Sequence, residues 1–103
     1  MSQLQTEIRR LISGYVRRGG KANRRQQARR MLAFGDYCAQ QGAKSLAQVG
    51  ERHVIRYWRS EIMQQLSDRT RGGHFYALAT LWRLAGKAGM PPRPHPVLRS
   101  TMD

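Results

Sequence analysis

Apolar side chains recur along most of the chain at the three- and four-residue spacing of amphipathic helices, and no segment alternates as a strand does. The first predicted helix spans residues 3–17 and ends before Gly19 and Gly20. Asn23 is the predicted N-cap of a second helix that runs to about Gln41, after a short link at Lys21 and Ala22. The apolar stripe of the first helix comprises Leu4, Ile8, Leu11, Ile12, Tyr15 and Val16, and the buried side of the second is expected to comprise Ala28, Met31, Leu32, Gly35 and Cys38.

Two further helices are predicted after a loop at residues 43–50. The third covers roughly residues 51–65, and the fourth begins at the N-cap Ser67 and ends at Gly89, in the C′ position, before two prolines. The expected core face of the third helix comprises Val54, Ile55, Trp58 and Ile62, and that of the fourth comprises Phe75, Leu78, Leu81, Trp82 and Ala85. The opposite side of the fourth helix comprises Arg69, Gly72, Gly73, Tyr76, Thr80, Arg83 and Lys87. The chain is therefore predicted to be all-α, a compact domain of four helices.

The chain is strongly basic, with 19 lysines and arginines against six acidic residues and a net charge of +13. Sixteen of these 19 are arginines, whose planar forks suit phosphates and guanine edges better than lysine does, so the bias favours nucleic acid as a partner. No run is long or apolar enough to span a membrane, and the N-terminus lacks the apolar segment of a signal peptide. The single cysteine fits a reducing compartment. We therefore expect a cytoplasmic protein without a membrane partner.

Two basic surfaces are predicted. One lies at the front of the second helix, where cations oppose the helix dipole and an external anion would explain their presence. It comprises Lys21, Arg24, Arg25, Arg29 and Arg30, with Gln26 and Gln27 between them. The other is the polar side of the fourth helix, whose glycines 72 and 73 each cost about 1 kcal/mol against alanine. These glycines either admit a close backbone or phosphate, or mark a helix that begins only after them. A third set of arginines, at 52, 56 and 59, is expected to be solvated surface.

Catalytic chemistry is not evident in the sequence. The histidines at 53, 74 and 95 are not spaced with each other or with Cys38 as zinc ligands are, and the carboxylates are scattered. His53 and Arg56 spell His-x-x-Arg, but inside the apolar pattern of the third helix. We therefore expect no enzyme activity, no metal and no cofactor.

The fourth helix and the segments before it resemble the core-binding domain of tyrosine recombinases, the family that includes phage integrases. Ser67, Arg69 and Thr70 match the Ser-x-Arg-Thr start of the family's last helix, and Gly89 matches its end. Further matches are Ala77, Leu78, Leu81, Trp82 and Leu84 in that helix, Phe34 and Gly42 in the second helix, and Leu46 to Val49 in the loop. Asn23 stands where the family usually has a capping threonine. The similarity covers about residues 23–96.

The resemblance implies a core-binding-like orthogonal bundle at residues 21–90, after an N-terminal helix and basic turn at 1–20 and before a proline-rich linker or tail at 91–103. It implies sequence-directed binding to duplex DNA in site-specific recombination, other protomers on the same DNA site, and a bacterial or phage origin. The family's catalytic residues lie in a separate domain that 103 residues are too few to include. Together with the basic surfaces, it predicts DNA contacts from Lys21, Arg24, Arg25, Arg29, Arg69, Thr70, Arg71, Gly73, His74, Tyr76 and Arg83.

Two other functions fit the same composition. A standalone basic helical protein could bind RNA or associate with the ribosome, although Tyr76 is then the one good candidate for stacking on an unpaired base. A protein–protein adaptor with an acidic partner would instead need an exposed apolar patch, which the first helix could supply.

Overall fold

The computed structural model describes residues 2–94, apart from the side chain of Lys21, and this part of the chain is helical without strands. The helices are α1 (Gln3–Arg17), α2 (Lys21–Gln40), α3 (Glu51–Arg59), α4 (Glu61–Gln64) and α5 (Asp68–Leu84). A single 3₁₀ turn, Leu46–Gln48, lies in the loop between α2 and α3. The prediction of an all-α domain is confirmed.

The core forms where α1 and α5 both pack on α2. Gly35 lets α1 approach closely, because a methyl group at this position would lie within 2.5 Å of Cδ1 of Ile8. Arg24, near the start of α2, contacts Tyr15 near the end of α1, so the two helices are antiparallel. The core comprises Leu4, Ile8, Met31, Phe34, Cys38, Val54, Tyr57, Trp58, Met63, Phe75, Leu78, Leu81 and Trp82. The predicted core position of Cys38 is confirmed, and α1 shares the core with the rest of the domain.

The start of α2 differs from the prediction. The helix begins at Lys21 with Gly20 at the N-cap, so Asn23 is an exposed residue of the first turn and the predicted cap is wrong. Gly20 has a φ of 55°, a left-handed conformation that glycine adopts without strain. Its carbonyl oxygen accepts the hydrogen bond of the Arg24 N–H at 2.9 Å. The chain therefore turns at the glycines themselves, and no link precedes the helix.

The predicted third helix is two helices. Ser60 caps the first turn of α4, its hydroxyl accepting from the N–H of Met63 at 3.4 Å, and the backbone is extended at this serine. The interruption changes the helical phase, so Met63 is buried in place of Ile62, which is 70% exposed. Ile55 is also exposed, whereas Tyr57 is buried. The predicted core positions of Ile55 and Ile62 are therefore wrong, and those of Val54 and Trp58 are confirmed.

The last helix begins as predicted and ends earlier. Ser67 is the N-cap, but the C′ glycine is Gly86, with a φ of 73°, rather than Gly89. The N–H of Gly86 donates to the carbonyl of Arg83 at 3.1 Å, and that of Lys87 donates to the carbonyl of Trp82 at 2.9 Å. This is the hydrogen-bond pattern of a Schellman motif, which satisfies the last carbonyls of α5.

The first residues of the predicted proline-rich linker pack on the core. Pro91 is buried, Trp58 Nε1 donates to the carbonyl of Pro92 at 2.9 Å, and the guanidinium of Arg93 lies 4.5 Å from the ring centroid of Phe75. The remainder of the predicted linker, residues 95–103, lies outside the described residues.

Candidate nucleic-acid interface

The exposed side of α5 carries a continuous polar stripe. Ser67 fixes the start of the helix, since its Oγ accepts the hydrogen bond of the Thr70 N–H at 3.1 Å. Along the helix, the side chains of Arg69, Tyr76 and Arg83 are exposed, that of Tyr76 by 69%. We call the residues Arg69, Gly72, Gly73, Tyr76, Thr80 and Arg83 the α5 stripe.

Arg71 belongs to the core and not to the predicted DNA surface. Its side chain is 1% exposed, and its Nη1 donates to the carbonyl oxygens of Met63 at 3.1 Å and Leu66 at 2.6 Å. Its Nη2 pairs with the carboxylate of Asp68. Because Arg71 lies four residues before the buried Phe75, the helical period itself places it on the inner side. The predicted DNA contact from Arg71 is therefore wrong.

At Gly73 the side chain of Arg30, from α2, lies against the stripe. A methyl group there would lie 3.0 Å from Cζ of Arg30 and closer still to its Nη1, whereas one at Gly72 would meet nothing within 4 Å. The close approach expected at the glycines is thus made by a guanidinium of α2. The alternative of a helix that begins after the glycines is wrong, because α5 starts at Asp68. Arg30 belongs to the basic surface predicted on the second helix but not to the predicted DNA contacts, and Gly73 was the only sequence signal for its approach to α5.

Thr70 and His74 are partly withdrawn from the surface. The Thr70 hydroxyl accepts from the Ser67 hydroxyl at 3.0 Å and so takes part in the cap. His74 is half-buried, and its Nδ1 is buried without a hydrogen-bond partner among the described residues. Burial, and then the charge of Arg30, lower the pKa of His74. Both effects favour the neutral form of the imidazole beside Arg30.

The predicted DNA contacts Arg25 and Arg29 lie on a different side of α2 from Arg30. Arg25 and Arg29 are exposed, as expected. They lie about 140° and 100° around the helix axis from Arg30, which is the arginine that touches α5. Arg25 and Arg29 therefore do not join the α5 stripe in one surface. The prediction for Lys21 concerns a side chain outside the described part.

Arg24 and Arg83 are brought together with two arginines that the sequence did not single out. Both line a cleft of about 520 Å³ between α1, α2 and α5, opposite Arg10 and Arg18 of α1. We call it the arginine cleft. The packing of α1 and α5 on α2 leaves this space between the three helices, and no local pattern in α1 or α5 specifies it.

Almost all the arginines lack a carboxylate partner among the described residues. Between described side chains, the one ion pair within 4.0 Å joins Arg71 to Asp68. Other carboxylates are used in the fold, since Glu7 accepts the N–H of Leu46 at 2.8 Å and Asp36 accepts a hydrogen bond from Gln5. The positive charge of the surface therefore has little internal compensation.

The described residues contain neither a cluster of metal-ligating side chains nor a helix that could span a membrane. Within residues 2–94, no three His, Cys, Asp or Glu side chains lie together as they would around a metal ion. Over the same residues, no helix has the length and apolar character needed to cross a membrane. The imidazole of His53 is engaged locally, its Nδ1 accepting the N–H of Gly50 at 3.2 Å.

Comparisons with family models, with curated proteins and with solved structures give no match to this chain. The resemblance to the recombinase core-binding domain stays an expectation from the sequence.

Proposed function

We propose that the chain binds duplex DNA through the α5 stripe, with Arg30 of α2 beside it, as the core-binding domain of an integrase does. We base this on the surface arginines, none of which forms an ion pair with a carboxylate among the described residues. Arginines that lack internal counter-charges are available to neutralise backbone phosphates, which supply most of the affinity in protein–DNA binding.

The dimensions of α5 support a groove-bound helix. Its 17 residues extend about 25 Å, and a major groove about 12 Å wide admits one α-helix. Arg69, Tyr76 and Arg83 follow one another at seven-residue intervals, so they lie nearly in line along the exposed side. The two arginines are about 21 Å apart along the axis, which corresponds to roughly six base pairs. Arg69 and Arg83 then contact phosphates or guanines, with Tyr76 between them against the groove wall.

The same proposal includes a preference for certain DNA sequences, further protomers bound to the same DNA site and a cytoplasmic location. Base readout from this surface is limited to a few side chains, because one helix supplies most of it. An RNA-binding function is the second candidate, favoured by the exposed ring of Tyr76, which could stack on an unpaired base.

The test is a fluorescence-anisotropy titration with a random duplex of about 20 base pairs and with a structured RNA, each over a series of salt concentrations. We expect the duplex to bind more tightly, and Arg69→Ala and Arg83→Ala each to reduce the slope of log K against log salt by about one. Arg59→Ala removes the same charge from the exposed side of α3 and is the matched control, expected to keep the slope. Equal losses in all three variants would contradict a localised interface. Tighter binding to RNA would favour the second candidate.

A further inference from the structure

We propose that the arginine cleft binds a phosphate group, supplied by the backbone of the same duplex that lies on the α5 stripe. The choice of the duplex as source rests on the proposed function. The cleft is lined by Arg10 and Arg18 of α1, Arg24 of α2 and Arg83 of α5, with Tyr15 and Leu84 between them.

Arg24 is held in place before any ligand arrives. Its Nη1 donates to the carbonyl oxygen of Tyr15 at 2.8 Å, and its guanidinium lies 4.4 Å from the centroid of the Tyr15 ring. This leaves most of its five N–H donors free for an anion, at a side chain whose rotamer freedom is already restricted. A phosphate bound here therefore contacts a guanidinium whose position is already partly fixed.

The charge of the cleft is one-sided. Four guanidiniums line it and no carboxylate does. Glu7 lines the neighbouring cleft with Arg10, but its Oε1 accepts the N–H of Leu46 at 2.8 Å. Four like charges around one space repel one another, and a bound anion relieves this repulsion.

The position of the cleft indicates which phosphate it takes. Arg83 belongs both to the cleft and to the α5 stripe. A duplex that lies on the stripe and reaches Arg83 therefore brings its backbone to the mouth of the cleft. Gly14 on α1 also lines the cleft and leaves it open, since it adds no side chain and a methyl group there would meet nothing within 4 Å.

The neighbouring residues of α1 provide a matched test. Arg10→Ala with Arg18→Ala removes two charges from the cleft, whereas Arg9→Ala with Arg17→Ala removes two exposed charges from adjacent positions outside it. Both double variants introduce alanine, the best helix former, so both are expected to fold. In the duplex titration, we expect the cleft variant to lose about one unit of salt slope, because one phosphate contact is lost, and at least tenfold in affinity at low salt. The control variant should lose less than threefold in affinity.

A further variant tests the cleft without changing its charge. Gly14→Leu fills the space, and we expect it to weaken duplex binding while all four arginines stay in place. Equal losses in the two double variants, or full affinity in Gly14→Leu, would overturn the assignment of the cleft even if the wild-type protein binds duplex well.

A free anion separates the cleft from the proposed function. Inorganic pyrophosphate, compared with chloride at equal ionic strength, should raise the melting temperature of the wild-type protein and of the Arg9/Arg17 variant but not of the Arg10/Arg18 variant. If the wild type binds no duplex and this pattern still appears, the proposed function fails and the phosphate site stands, with free phosphate compounds as its source. If the melting temperatures of both variants respond alike, the phosphate site itself is refuted.

Discussion

Replacing Arg71 with alanine should destabilise the fold far more than any exposed arginine does. The substitution leaves the carbonyl oxygens of Met63 and Leu66 without their donor and empties space in a region where the side chain is 1% exposed. A hydrogen bond to a charged group contributes about 1.5–3 kcal/mol, and two are lost. The ion pair with Asp68 adds little, because that carboxylate side chain is 64% exposed.

The expected loss in the free energy of unfolding is about 3–5 kcal/mol, after allowing for the cost of burying the guanidinium in the native state. A domain of this size unfolds with about 5–15 kcal/mol in total, and its melting temperature falls by about 4–8 °C per kcal/mol. Arg71→Ala should therefore melt at least about 12 °C below the wild type.

Urea unfolding followed by circular dichroism measures this loss. Arg69→Ala is the matched control, since it removes the same charge from an exposed position two residues earlier, and it should change stability by no more than about 0.5 kcal/mol. A cost below about 1 kcal/mol for Arg71→Ala, or equal costs for the two variants, would refute the reasoning that Arg71 joins α4 to α5.

Three further predictions concern single side chains. Gly73→Ala should displace the guanidinium of Arg30 and weaken duplex binding, as the duplex titration would show. A methyl group at Gly72 meets nothing within 4 Å, so Gly72→Ala should raise the free energy of unfolding by up to about 1 kcal/mol, as urea unfolding would show. Because the pKa of His74 is lowered in the folded state, the unfolded state binds more protons, and stability should fall as the pH drops below about 6.5. Between about pH 7.5 and pH 5.5, the melting temperature should therefore fall less in His74→Gln than in the wild type. Burial raises the pKa of Cys38 to about 12, so a thiol reagent should modify it in urea and hardly at all in buffer, and rapid labelling of the native protein would contradict its place in the core.

The elements that the sequence predicts well are those with a local physical cause. Ser67 begins α5 because its hydroxyl accepts an N–H of the first turn, which a serine before an apolar period indicates. The predicted end of the same helix, at Gly89, is wrong. Gly86 and Gly89 both take a left-handed conformation, and only the packing decides which of them ends α5. The break at Ser60 was missed for a related reason, since a serine inside an apolar period is compatible with a continuous helix and with a new cap.

The candidate site was only partly predictable, because most of it depends on contacts between helices. The exposed positions of Arg69, Tyr76 and Arg83 follow from the period of α5 alone. The same period places Arg71 inside, so its position along α5, and not its charge, indicates that it belongs to the core. The approach of Arg30 to Gly73 depends on where α2 crosses α5, which no local pattern specifies.

The most direct test of the central claim is a map of amide chemical-shift changes in ¹⁵N-labelled protein on addition of a short duplex at low salt. We predict that the largest changes fall along α5 at Arg69, Tyr76 and Arg83 and at Arg30 of α2, while Arg59 on α3 is unaffected. Chemical-shift changes centred on α3 would contradict a nucleic-acid interface built on α5. The absence of any change at a duplex concentration high enough to saturate the protein would contradict it as well.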